Sequence, residues 1–76
     1  AALTDWRYDA MANQLEVVVA AGTTPKYFLM AQPARIVVDL PDTEMGGVKV
    51  KESYAGAVTQ VRVSQFQPRV TRMVLE

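Results

Sequence analysis

Residues 26–40 read K-Y-F-L-M-A-Q-P-A-R-I-V-V-D-L, and the fold is decided by how this stretch pairs with itself. Two short runs rich in aromatic and β-branched residues flank Gln32-Pro33, a strong turn signal. With Leu29 opposite Ile36, Tyr27 meets Val38 and Lys26 meets Asp39. One row of that hairpin is then apolar, and the other carries a compensated charge pair. A hairpin of strands near 26–31 and 35–40 follows.

The same grammar extends in both directions. Strands are predicted near 3–9, 14–20, 48–52, 58–65 and 70–76, separated by Gly22-Thr23-Thr24-Pro25, Pro41-Asp42, Gly46-Gly47, Gly56 and Gln67-Pro68. In the first pair, Tyr8 opposite Leu15 places Trp6 against Val17 and Arg7 against Glu16. Asn13 favours a hairpin bend over a helical turn in the connection. For the last pair, one register sets Arg62 against Arg72, a like-charge contact costing up to ~1 kcal/mol. The other sets Val61 against Leu75, Val63 against Met73 and Gln60 against Glu76, and is preferred. Twelve valines, with six Thr and one Ile, suit a pleated sheet. Seven short strands without a helical period predict an all-β sandwich or small barrel. Its inward rows assign Val17, Val19, Leu29, Ile36, Val38, Leu40, Val61, Val63, Met73 and Leu75 to the core, with Trp6, Tyr8 and Tyr27 also inward. A short echo, Arg35-Ile36-Val37-Val38-Asp39 and Arg72-Met73-Val74-Leu75-Glu76, each after a Gln-Pro turn, suggests two hairpins in equivalent places of two related sheets.

Seventy-six residues make one small domain, 1–76. The chain starts without Met and stops inside a strand-like run, so it reads as a module excised from a longer protein. Formal charge is zero, which gives no overall field toward nucleic acid. The charge is unevenly spread. Asp39, Asp42 and Glu44 fall in a segment without bases, and Arg62, Arg69 and Arg72 in one without acids. Either the two segments pair, or the second half builds an anion-attracting face. The absence of His and Cys removes imidazole bases, thiol nucleophiles and N/S metal sites. No run reads as a phosphate-binding glycine loop or approaches the ~20 apolar residues of a membrane span, and nothing within the 76 residues looks like a signal peptide. The chemistry indicates no enzyme and no cofactor.

What remains is binding chemistry. Alternation turns Arg35, Arg62 and Arg72 outward, with Gln60 and Ser64 beside Arg62. Guanidinium forks suit carboxylates, and amides and hydroxyls suit sugars and peptide groups. Val74 is the cross-strand neighbour of Arg62, which leaves that fork free for a ligand. Tyr54, in Ser53-Tyr54-Ala55-Gly56, is a candidate stacking platform. Phe28, Met30, Val37, Phe66 and Val70 also fall outward, where a sandwich should meet water. They imply a covered face, a wrong register or a docking surface.

Two segments carry a family resemblance. Pro25-Lys26-Tyr27-Phe28-Leu29-Met30-Ala31 with Pro33-Ala34-Arg35-Ile36-Val37-Val38-Asp39-Leu40-Pro41 resembles the central signature of the AMIN (amidase N-terminal) domain. Val61-Arg62-Val63-Ser64-Gln65-Phe66-Gln67-Pro68 with Val70-Thr71-Arg72-Met73-Val74-Leu75-Glu76 resembles its last hairpin, and Leu3 to Val19 fits its opening. The resemblance implies a sandwich of two antiparallel sheets with seven to eight short strands. It implies a non-catalytic module that binds peptidoglycan and localises a periplasmic zinc-dependent N-acetylmuramoyl-L-alanine amidase in cell separation. The zinc ligands would lie in the amidase's own domain. Other envelope or divisome proteins are further partners it suggests, and a docking domain of a type IV pilus secretin is the alternative. No contact set comes with the resemblance, so Arg62, Gln60, Ser64, Tyr54 and Arg35 stand as the peptidoglycan-binding candidates on their residue chemistry.

Overall fold

In the computed structural model, which describes residues 1–20 and 22–76, the chain forms eight strands. They are β1 (Ala2–Asp9), β2 (Gln14–Val19), β3 (Lys26–Met30), β4 (Arg35–Pro41), β5 (Glu44–Met45), β6 (Lys51–Ser53), β7 (Gln60–Gln67) and β8 (Val70–Leu75). A three-stranded sheet, β2-β1-β5, packs on a five-stranded sheet, β3-β4-β8-β7-β6. This is the expected all-β sandwich. All pairings are antiparallel except the short β1–β5 contact, which is parallel.

The predicted registers hold in each hairpin. Tyr8 faces Leu15 and Arg7 faces Glu16, with Asn13 at positive φ in the connection. Leu29 faces Ile36 and Lys26 faces Asp39. Val61 faces Leu75 and Val63 faces Met73, and the backbones of Gln60 and Glu76 bond to each other beyond them. The expected strand near 48–52 shortens and shifts to β6, and a two-residue strand that was not expected, β5, precedes it. Val48 to Val50 lie between the two, although the Val50 carbonyl still accepts from the Val63 N–H. Gly46 is required at this crossing. A Cβ there would lie 2.7 Å from the Leu3 carbonyl oxygen, to which the Gly46 N–H already donates.

The echoed segments are β4 and β8, and they are not in separate sheets as their repetition suggested. They are direct antiparallel neighbours, from Ile36↔Leu75 to Pro41↔Val70. Antiparallel alignment of two runs that each begin with Arg and end with an acid brings Asp39 opposite Arg72.

The core joins Leu3, Trp6 and Tyr8 of the small sheet to Leu40, Val61, Val63, Met73 and Leu75 of the large one, with Val17, Val19, Ile36 and Val38 partly buried at its margin. The Trp6 indole N–H donates to the Lys49 carbonyl at 2.8 Å, so the largest buried side chain carries no orphan donor. Thr43 and Thr71 are fully buried, and the Thr71 hydroxyl donates to the Thr43 carbonyl at 3.0 Å. Gln65 completes that clasp. Its amide nitrogen donates to the carbonyls of Thr43, Gln67 and Val70, and its amide oxygen accepts from the Met45 N–H.

Three core assignments are corrected. Leu29 and Tyr27 are each 76% exposed, because three strands cannot cover five and β3 overhangs the smaller sheet. Val37, on the outward row, is buried at 2%. It is a short side chain at an inner position of a wide sheet, flanked in its row by Phe28 and Val74. The contrast is measurable. Leu40→Ala, at a fully buried position, is expected to cost about 2–5 kcal/mol. Leu29→Ala is expected to cost no more than about 0.5 kcal/mol. Urea denaturation of both variants checks this, and equal losses would mean that β3 is covered after all.

Candidate functional site on the outer face of the larger sheet

The outward side chains of β3, β4, β8, β7 and β6 lie in cross-strand rows. One row runs Phe28, Val37, Val74, Arg62, Lys51, and the next runs Lys26, Asp39, Arg72, Ser64. Arg35 and Gln60 belong to the row on the other side, with Glu76 between them. Four of the five candidate residues, Arg35, Gln60, Arg62 and Ser64, therefore share one sheet face, which strand order alone brings together.

That face is basic. Lys26, Arg35, Lys51, Arg62 and Arg72 are set against Asp39 and Glu76. The outer face of the small sheet is the reverse, with Asp5, Asp9 and Glu16 set against Arg7. The neutral chain is thus polarised across its thickness. Both expectations from the uneven charge are realised. The acidic and basic segments do pair, Asp39 with Arg72 and Asp42 with Arg69, and a cation-rich face remains.

Arg72 is the most fully hydrogen-bonded charge on the face. Its Nε and Nη2 donate to the two oxygens of Asp39 at 2.8 and 2.9 Å, a bidentate fork with both side chains about three-quarters shielded. These bonds hold the guanidinium charged and push its pKa further above the ordinary arginine value. Its Cζ lies 3.5 Å from the Phe66 ring centroid and 5.7 Å from that of Phe28. Phe66 reaches this position because β7 bulges between Gln65 and Gln67. Sequence alternation marked Phe66 as outward but gave no sign of the Arg72 stack.

Beside this stack lies a shallow depression of about 410 Å³ lined by Val50, Lys51, Arg62, Val63, Ser64 and Val74. Two candidate residues, Arg62 and Ser64, line it, and Lys51 faces Arg62 across the β6–β7 pair. The expectation of a free Arg62 fork is corrected. Glu76, one residue beyond β8, pairs with its Nη2, since the antiparallel ladder carries on to set Glu76 beside Gln60. Among the described residues Lys51 has no acidic partner there. Arg35 donates to the Pro33 carbonyl at 2.9 Å and stands at the far margin of the face.

Tyr54 does not join this site. Its ring meets Tyr8 edge-on, with centroids 5.0 Å apart, at the margin of the core. Removal from water pushes the Tyr54 phenol above its ordinary value, with smaller contributions from Glu52 and Tyr8. The fold thus favours the neutral phenol. That contribution is fully present below the unfolded value of about 10 and is lost as pH rises through the higher folded value. Tyr54→Phe should therefore lose less stability than the wild-type chain between about pH 9 and about pH 11, either side of the ordinary tyrosine value. Urea midpoints at the two pH values check this, and parallel losses would place the ring in water.

The outer face offers cations, hydroxyl and amide groups, and an exposed aromatic ring. The chain contains no His or Cys, and among the described residues no three acids cluster to hold a metal, so the residues do not fit a zinc site. Among the described residues no helix is long and apolar enough to cross a membrane. Comparison with curated proteins and with solved structures gave no match. A family comparison did match, and it covers residues 3–76, from β1 through β8. The chain belongs to the AMIN domain family.

Proposed function

We propose that the chain holds a periplasmic zinc-dependent cell-wall amidase on peptidoglycan during cell separation, and that the outer face of the larger sheet makes the contact. AMIN domains are non-catalytic peptidoglycan-binding and localisation modules of amidases and secretins that occur in envelope proteins, and this segment is not itself an enzyme. The observation that carries the choice of face is its excess of cations around exposed Phe66. Peptidoglycan stem peptides end in carboxylates, which Lys51, Arg62 and Arg72 suit. Ser64 and Gln60 offer hydrogen bonds to sugar hydroxyls and peptide amides. Phe66 supplies an apolar surface for the carbon face of a sugar ring. A flat site of this kind binds weakly at each point, and a polymer with many equivalent points supplies retention.

Glu76 adds a condition. A ligand carboxylate that takes Arg62 must displace the Glu76 carboxylate, an exchange that costs little between exposed partners.

The test is sedimentation of the chain with purified sacculi. The wild-type chain should pellet, and less so as salt is raised, because exposed charges are screened. Arg62→Glu and Phe66→Ala should each weaken binding about tenfold, the equivalent of one charge-assisted contact. Arg7→Glu, on the opposite outer face, should change nothing. A wild-type chain that stays in the supernatant overturns peptidoglycan binding. Folded Arg62→Glu and Phe66→Ala variants that pellet like wild type overturn the face. A docking role in a secretin or other envelope assembly is favoured by a different observation, the bare edge of β3.

A further inference from the structure

Every residue of β3 is exposed, and the strand is apolar on both sides. Tyr27 and Leu29, each 76% exposed, lie on the inner face beyond the small sheet. Phe28 and Met30, at 41% and 40%, lie on the outer face. β3 is also an edge, so one row of its N–H and C=O groups has no strand partner. The other edges are protected in familiar ways. β6 is Lys51-Glu52-Ser53, β5 has two residues, and β2 carries Gln14 and Glu16. β2 also carries exposed Val18 on its outer face, but its inner Leu15, Val17 and Val19 are partly buried against the core, so among the described edges β3 is the one whose apolar side chains are exposed on both faces.

We infer that β3 is a self-association edge, at which two copies of this chain pair antiparallel about a two-fold axis through Phe28. The register follows from the residues. Centred on Phe28, Lys26 meets the partner's Met30, Tyr27 meets the partner's Leu29, and Phe28 meets its own copy, so all five positions pair. A shift of one residue would join the inner face of one copy to the outer face of the other. A shift of two would lose two of the five pairs. Parallel in-register pairing would set Lys26 beside Lys26, whereas the two-fold arrangement puts the ammonium groups at opposite ends.

The area sets the strength. At about 200 Å² for a large apolar side chain, the exposed parts of Tyr27, Phe28, Leu29 and Met30 come to roughly 450 Å² per chain. The pair would bury roughly 900 Å², just under the ~1,000 Å² of a stable interface. Pro25 before β3 and the Gln32-Pro33 turn after it keep the ladder from lengthening. The dimer is therefore weak and concentration-dependent. Its consequence bears on the proposed function without depending on it. A two-fold axis perpendicular to the sheet leaves both outer faces on the same side of a continuous ten-stranded sheet. Two Arg62–Phe66 sites would then face one polymer surface, and crowding on that polymer would favour the dimer.

Analytical ultracentrifugation of the 76-residue chain, without peptidoglycan, tests this from about 10 μM to about 1 mM, the weak end of measurable affinity. The mass should rise from that of the 8.4 kDa monomer toward twice that value. Leu29→Lys and Tyr27→Lys change exposed side chains, so they should keep the wild-type circular dichroism while weakening association at least about tenfold. A wild-type chain that stays monomeric across the range overturns the inference. So does association that both variants retain in full. Loss of sacculi binding with the dimer intact would overturn only the peptidoglycan reading, and the converse would overturn only the dimer.

Discussion

The antiparallel pairing of β4 with β8 is the constraint on which the rest of the structure depends. The two flanking hairpins close locally, across turns of a few residues. This pairing instead joins Ile36 to Leu75 and Asp39 to Arg72 across half the chain. It makes one five-stranded sheet out of the β3–β4 hairpin and the β6-β7-β8 meander, and only a sheet of that width offers the small sheet a floor. Such long-range closure carries its entropic cost before its contacts form, which makes it the slow part of folding for a chain of this kind. The Asp39–Arg72 fork lies within this pairing and helps fix its register. A slip by one residue would turn Ile36 and Val38 outward and separate the ions. The pair is neither fully wet nor fully buried, so it avoids most of the desolvation cost that makes deep ion pairs poor stabilisers.

How much of this was legible in the sequence follows from what sets each contact. Hairpin registers were legible because turn chemistry and charge matching act between neighbours in the chain. Gln32-Pro33 and Asn13 mark the bends, and Lys26 with Asp39 or Arg7 with Glu16 mark the rows. The order of hairpins within a sheet has no such local marker, so the echo between β4 and β8 was visible while its meaning was not. The width mismatch between the sheets was likewise hidden. Leu29 and Tyr27 carry every local sign of core residues and miss burial only because the small sheet stops short of β3. The site was half legible. Alternation turned Arg62 and Ser64 outward correctly, but the ladder leaves Glu76 free to reach Arg62. The stack of Phe66 on Arg72 depends on a bulge that no periodicity reveals.

The polar clasp of Gln65, Thr43 and Thr71 explains how so narrow a sheet is held at a defined place. Apolar packing between Leu3, Trp6, Tyr8 and the large sheet is non-directional and would tolerate sliding. Hydrogen bonds from Gln65 and Thr71 to the Thr43 carbonyl are directional. The Gln65 amide oxygen accepts from Met45, which pairs with Leu3 of β1. The small sheet is therefore pinned at its β5 end, over β7 and β8, and leaves β3 bare at the other. The location of the clasp decides which edge of the large sheet remains uncovered.

A domain of this size buries too little surface to be generous with it, so three strands over five must have consequences. The cation-rich outer face costs little to maintain, because Asp39 and Glu76 hold Arg72 and Arg62 in place without cancelling the field of the face. The apolar edge is the more demanding feature, since an open edge invites association. Lys26 is the only charge on β3, and it stands at the end of the strand, where it guards against parallel stacking but leaves antiparallel pairing open. With only five residues between Pro25 and the Gln32-Pro33 turn, that pairing stays reversible and closed at two copies, because a two-fold contact consumes the edge that makes it. The other edge of the sheet, at β6, is too polar and too short to extend the array. The overhang that left Leu29 and Tyr27 out of the core is thus compatible with a soluble chain, and it limits self-association to a single weak step.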